Sequence, residues 1–292
     1  MQIKGHLPAL ITPFKPTGEV DLQTLEQLVQ WHLSMNVDGL VVLGTTAETP
    51  TLTSIERQAI LDLVVGITAN QVPIIVGTGC NNTHATVERC RWAMTRGADA
   101  CLVVTTYYNR PTQKGLLAHY QRVLSESDSP IMLYNVPART QVDLDDDVVE
   151  KLFSFEQCIG IKAADGDVTR LSNYLRFSKG KSLLSGDDAT IKPWVESGGD
   201  GIISVLGNLM PKSMTKAVTS GLKQRDFDFQ DYQMMIKELA WSVNPVPIKY
   251  ALAAVRRIPD SFVRLPLVNE IPGNTQSMKT LFEYYQQVEL KS

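Results

Sequence analysis

The 292-residue sequence predicts an α/β fold, a closed (β/α)8 TIM barrel followed by a C-terminal helical extension, on three observations. Between residue 3 and about 206, short apolar runs rich in Val, Ile and Leu alternate eight times with longer segments of helical period, as a parallel sheet covered on both faces requires. Eight such units in about 200 residues match the length that a barrel of this kind uses. After residue 208 the pattern turns wholly helical without a linker, so residues 1–208 read as the barrel and 209–292 as an extension packed on it. An open doubly wound sheet is the alternative, but no GxGxxG or GxxxxGK[ST] loop follows any run.

The first strand is expected over residues 7–12, then a turn at Thr17-Gly18 and a helix from Asp21 with Leu22, Leu25, Val29 and Leu33 on one stripe. Residues 38–44 form the second strand. The capping-box pattern Thr53-Ser54-Ile55-Glu56 opens its helix and leaves 44–52 as a loop. The third strand covers 72–77, with a helix near 82–96, and the fourth covers 98–104. Pro111 disfavours helix at Arg110, so 105–111 is a loop before a helix carrying Leu116, Leu117 and Tyr120. The fifth strand, 129–135, is followed by a loop over 136–140 and a helix starting near Leu144. The sixth, Cys158-Ile159-Gly160-Ile161-Lys162, ends on a lysine; 182–186 and 201–205 are the seventh and eighth. Helices over roughly 211–222, 226–243, 247–257 and 275–289 make the extension.

At 43% hydrophobic and 20% charged, with a formal net charge of -3, the chain has the composition of an ordinary soluble globular protein. No basic excess or face marks a nucleic-acid partner. The first 14 residues have too short an apolar part for a signal peptide, and no apolar run approaches the roughly 20 residues of a membrane helix. Cys80, Cys90, Cys101 and Cys158 lack any CxxC pairing and read as reduced, partly buried thiols of a cytoplasmic protein. His6, His32, His84 and His119 are equally dispersed, which supports neither a metal site nor a histidine-based triad.

Chemistry centres on Lys162. Burial disfavours an ammonium, so a strand-end amine can become a nucleophile towards a carbonyl carbon and form a Schiff base. The other reading is a lysine whose stem packs while its head reaches water. Catalytic groups of a barrel come from the C-terminal ends of its strands, and the polar residues there are Thr45, Thr46, Tyr107, Tyr108, Tyr134 and Lys162. Such a set supplies an amine, hydroxyls to carry protons while a carbinolamine loses water, and donors for a carboxylate. A free phenol titrates near 10, so a tyrosine passes protons on only with hydrogen-bonded partners such as threonine. Plain structural uses compete: packing for Tyr134, turn capping for Thr45 and Thr46, and a solvated charge for Arg139, although its fork suits a carboxylate.

Six motifs stand in order: Gly44-Thr45-Thr46-Ala47-Glu48, Tyr107-Tyr108-Asn109-Arg110-Pro111-Thr112, Leu133-Tyr134-Asn135-Val136-Pro137-Ala138-Arg139-Thr140, Gly160-Ile161-Lys162, Leu184-Ser185-Gly186-Asp187-Asp188-Ala189 and Asn244-Pro245-Val246-Pro247-Ile248-Lys249. Over nearly the whole chain they resemble the dihydrodipicolinate synthase/N-acetylneuraminate lyase family of class I, Schiff-base-forming lyases, and Arg139 resembles the arginine of its synthase branch. The resemblance implies that Lys162 condenses with pyruvate and that the enamine attacks the aldehyde of L-aspartate 4-semialdehyde, a step of lysine and diaminopimelate synthesis. It implies a proton relay of Tyr134, Thr45 and Tyr108. Tyr108 is expected to reach a neighbouring subunit's site, which makes the protein an oligomer, a homotetramer built as a dimer of dimers. Thr45 and Thr46 would hold the pyruvate carboxylate, Ile203 would line the pyruvate pocket, Gly186 would lie among the substrate-binding residues, and Arg139 would bind the semialdehyde carboxylate. Neither cofactor nor metal is implied, since the lysine itself is the electron sink. A sister aldolase acting on a 2-keto-3-deoxy sugar acid or N-acetylneuraminate would keep Lys162 and Tyr134 but want hydroxyl-binding groups in place of Arg139. A barrel that has lost catalysis has no reason to keep Lys162, Tyr134, Tyr108 and Thr45 together.

Two residues depart from the family pattern: Ala47 stands where many members have glycine, and Ala163, next to the nucleophile, where many have glutamate. The positions matching the lysine-feedback residues of sensitive members are Ser54, Arg57 and Ala85. Inhibition by lysine is therefore expected to be weak or absent, and half-maximal inhibition at submillimolar lysine would contradict this.

Overall fold

In the computed structural model, which describes residues 1–227, 229–270, 273, 285 and 289, the apolar runs become eight parallel strands. These are β1 (Gly5–Pro8), β2 (Leu40–Val42), β3 (Ile74–Gly77), β4 (Ala100–Val104), β5 (Ile131–Asn135), β6 (Cys158–Ala163), β7 (Ser182–Ser185) and β8 (Gly201–Ser204). From β2 to β8 each strand pairs with its chain neighbours, and β1 pairs with β8. Ala9 bridges Val41, and the Leu10 N–H donates to the Val41 carbonyl at 2.9 Å, so β2 returns to the first strand and closes the (β/α)8 TIM barrel.

The helices are α1 (Leu22–Ser34), α2 (Ser54–Thr68), α3 (Thr83–Thr95), α4 (Gln113–Ser127), α5 (Pro137–Thr140), α6 (Asp146–Phe153), α7 (Arg170–Phe177), α8 (Ile191–Glu196), α9 (Pro211–Leu222), α10 (Gln230–Glu238) and α11 (Val246–Ala254). Side chains cap the first four: Asp21, Thr53, Asn82 and Thr112 each accept a backbone N–H of the first turn, with a full capping box at Thr53 and Glu56. One apolar layer joins the outward strand residues to the helices. A second fills the barrel with Leu7, Val41, Ile75, Leu102, Met132, Leu184 and Ile203. Helix α9 packs on β1 and α8, so the ring of helices is completed by a segment beyond residue 208. Met235, Ile248 and Leu252 of the last two helices share a buried cluster with Ile11, Leu28 and Leu206.

Several boundaries differ from expectation. The first strand begins at Gly5 and ends at Pro8; the Ala9 N–H still donates to Ser204 of β8, and from Leu10 the chain turns its hydrogen bonds to β2. Residues 137–140 are a helical turn with Pro137 in its first position, where a missing N–H costs nothing, and the next helix starts at Asp146. Helix α10 is shorter than the expected 226–243, and α11 begins at Val246, directly after Pro245, and stops at Ala254. The expected helix over 275–289 lies outside the described residues apart from Tyr285 and Glu289.

Candidate active site

Successive side chains of a strand point to opposite faces, and this decides what Lys162 does. Leu133 and Ile161 pack against the helices, so Tyr134 on β5 and Lys162 on β6 turn towards the barrel axis. The two are register partners, which brings the Lys162 Nζ to 4.3 Å from the centroid of the Tyr134 ring. Lys162 is only 6% exposed, and its head opens into a cavity of about 300 Å³ at the C-terminal mouth of the barrel instead of onto the outer surface. Among the described residues its ammonium has no carboxylate partner. A lysine placed so is free to react with an incoming carbonyl compound.

Thr45, Thr46, Arg139 and Gly186 line the same cavity. A Cβ at Gly186 would stand 2.7 Å from Cε of Lys162 and 3.0 Å from its Cγ, so this position is glycine to leave a lane for the lysine stem. Thr45 and Thr46 lie on a single 3-10 turn after β2. The Thr46 hydroxyl accepts from the Asn244 side-chain amide at 3.0 Å, and the Asn244 carbonyl accepts from the Arg139 guanidinium at 3.1 Å. Asn244 therefore links the turn to the arginine at the mouth. Glu48 closes the turn in the left-handed conformation at φ 54, and its carboxylate accepts from Lys249 Nζ at 2.7 Å and from the Arg264 N–H at 2.9 Å. The Glu48 and Lys249 side chains are 1% and 0% exposed. Burial lowers the Lys249 ammonium to about 8, against the opposing pull of Glu48. On the far wall Asp188 accepts from the Ser204 hydroxyl and from the N–H groups of Val205 and Leu206, which ties the end of β8 to the site; burial pushes its carboxyl up in spite of these donors.

Not every expected residue comes to the cavity. Tyr108 is 90% exposed, whereas its neighbour Tyr107 lines a second cavity of about 450 Å³ that shares Gly44, Thr45, Tyr134, Val136 and Arg139 with the first. Ile203 is fully buried in the apolar layer inside the barrel and is not part of the cavity wall. Neither Ala47 nor Ala163 lines the cavity. Ala47 needs no positive φ, because Glu48 takes the left-handed position, and its carbonyl accepts from Thr12. Ala163 packs in the helical layer, so a carboxylate there would stand on the sheet face opposite Lys162. Asn244, Asp188 and Lys249 stand in the sequence motifs without an expected role. Lys249 carried a readable signal, a lysine inside the apolar helical stretch of α11.

The chain matches the model of the Dihydrodipicolinate synthetase family over residues 2–283. It is 39% identical over 291 residues to the 4-hydroxy-tetrahydrodipicolinate synthase of Coxiella burnetii (strain RSA 493 / Nine Mile phase I), covering 98% of this chain and 99% of the relative. Its fold is similar to the dihydrodipicolinate synthase of Thermotoga maritima, with a TM-score of 0.91, 33% identity and 98% of each chain covered. The 4-hydroxy-tetrahydrodipicolinate synthase of Methylacidiphilum fumariolicum SolV gives a TM-score of 0.93 at 34% identity, with 99% of this chain and 98% of that one covered. With sequence, fold and the strand-end lysine in agreement, the chain belongs to the dihydrodipicolinate synthetase family.

Proposed function

We propose how this site divides the work of a 4-hydroxy-tetrahydrodipicolinate synthase, a lyase reaction joining pyruvate to L-aspartate 4-semialdehyde. Lys162 Nζ attacks C2 of pyruvate, and the carbinolamine loses water to give an imine. Loss of a C3 proton makes the enamine, whose C3 bonds to the aldehyde carbon. Ring closure by the adduct's own amine then displaces Lys162. Tyr134, beside the nucleophile, gives and takes the protons of these steps with Thr45 as its partner. The Thr45-Thr46 turn holds the pyruvate carboxylate, and Arg139, braced by Asn244, holds that of the semialdehyde. The observation that carries this reading is the pairing of Lys162 with Tyr134 at 4.3 Å in one cavity with Thr45 and Arg139.

The experiment is a coupled assay with pyruvate and aspartate semialdehyde, run beside pyruvate with N-acetylmannosamine and with simple sugar aldehydes. Turnover with the semialdehyde alone is expected; turnover with a sugar aldehyde instead would move the chain to a sister aldolase. Arg139→Ala should raise the semialdehyde KM far more than the pyruvate KM, by on the order of 10-fold or more for a lost charge-assisted contact. Equal effects on both would remove its assigned role.

Tyr108 serves a second copy, completing that copy's relay from across an interface, and the assembly is a homotetramer working in the cytoplasm. Two observations support this: Tyr108 stands exposed on its own chain, and the four cysteines are free thiols of the kind a reducing compartment keeps. Sedimentation should show an assembly larger than a monomer. A fully active monomer would contradict it.

A further inference from the structure

Behind the catalytic pair lies a cluster of charged groups that takes no part in the condensation. Strand residues alternate, so Tyr134 faces the barrel axis while Asn135, next to it and fully buried, faces the other way. The Asn135 amide donates to Asp143 at 2.7 Å and to Asp165 at 3.3 Å, and its side-chain carbonyl accepts the Leu144 N–H at 3.1 Å. Arg170 of α7 completes the cluster. Its guanidinium donates to Asp165 at 2.8 Å, to Asp143 at 3.0 Å, and to Asp146 and the Leu144 carbonyl at 2.6 Å each. The Arg170 and Asp165 side chains are only 13% and 7% exposed. The wall of the catalytic cavity includes none of these residues.

The contacts fall on two segments that carry the chemistry. Asn135 and Leu144 are the two ends of the loop that bears Arg139, and their hydrogen bond closes it. Asp165 lies three residues beyond Lys162, and the Ala164 N–H between them donates to the Asn135 carbonyl at 2.8 Å. Arg170 therefore ties the loop of Arg139 to the end of the strand that bears Lys162. A planar fork holds carboxylates from several segments in one geometry, which the point charge of a lysine on its flexible stem does not. Arg139 itself is exposed, with its guanidinium on the Asn244 carbonyl, so the place of its loop governs where it meets a substrate carboxylate. We propose, on the roles given above to Lys162 and Arg139, that Arg170 is a positioning residue for the second substrate: it sets how far Arg139 stands from the enamine on Lys162, and so how the semialdehyde fits between them.

The test uses the full-length protein and reads its two half-reactions apart. Arg170→Lys keeps the charge and loses the fork. It should lower kcat/KM for the semialdehyde by on the order of 10-fold or more, as a small misplacement of a binding group does, while the pyruvate KM and the rate of borohydride trapping of pyruvate stay within about 2-fold of the parent. In an Arg139→Ala background the same change should have little further effect, because a residue that acts through Arg139 then has nothing left to position. Asp143→Asn, at a half-exposed position, should give the same split at smaller size, and it decides the matter if Arg170→Lys does not fold. Equal loss of both half-reactions, kinetics like the parent's, or losses that multiply in the double variant overturn the inference. A parent that traps pyruvate without turning over the semialdehyde overturns the functional reading first, and this one with it.

Discussion

Lys162→Ala should abolish both turnover and the trapping of pyruvate by borohydride. Among the described residues lining the cavity, the amine is the group that can form an imine at C2 of pyruvate and accept the electron pair left by the C3 proton. Without it the remaining hydroxyls and Arg139 can bind substrates but cannot make an enamine. Loss of a covalent nucleophile typically costs several orders of magnitude, so a fall in kcat of at least about 10³-fold is expected. Folding should survive, because the stem lies against Gly186 at the cavity wall and the truncation enlarges a space that is already open. Lys162→Arg should be equally inactive. A guanidinium is not a nucleophile, and its broader head meets the same narrow passage at Gly186. Borohydride-dependent labelling of Lys162→Ala by pyruvate, read by mass spectrometry, would show that another amine carries the imine.

Lys249→Met should cost about 3–5 kcal/mol of stability, the usual loss when one member of a buried ion pair is removed. Glu48 would then be left without its strongest partner in a site with no access to water, holding only the Arg264 N–H. Methionine fills a similar volume, so the loss reports the uncompensated charge more than a cavity. The consequence reaches the active site, because Glu48 ends the turn that carries Thr45 and Thr46. Urea unfolding measures the effect. The double variant Glu48→Gln with Lys249→Met removes both charges and should recover a large part of the loss. A single variant as stable as the parent would mean that the pair contributes nothing to the link between the turn and α11.

Much of the scaffold was legible because each barrel unit is a local pattern. An apolar run followed by a helical stripe can be read within about 25 residues. The capping box at Thr53 and the proline at 111 set boundaries by short-range rules. Lys162 could be singled out for the same reason: a cation closing a buried strand is anomalous wherever that strand lies. Boundaries differ where a neighbour in space chooses, as just after Pro8, where the chain changes partner from β8 to β2 between Ala9 and Leu10.

The sequence by itself determined the eight-fold alternation, the C-terminal placement of the polar residues and a lysine closing an otherwise apolar strand. Tertiary structure alone decided that Tyr107 and not Tyr108 lines a cavity of its own chain, that Ile203 lies inside the barrel layer, and that position 163 faces away from Lys162. It alone joined Asn244 to Thr46 and Lys249 to Glu48 across about 200 positions of chain. The physical reason is that these pairings depend on barrel closure and on the descent of α11 onto the mouth. Contacts of that separation leave no period in the sequence, since the residue types are set by partners that only the fold brings near.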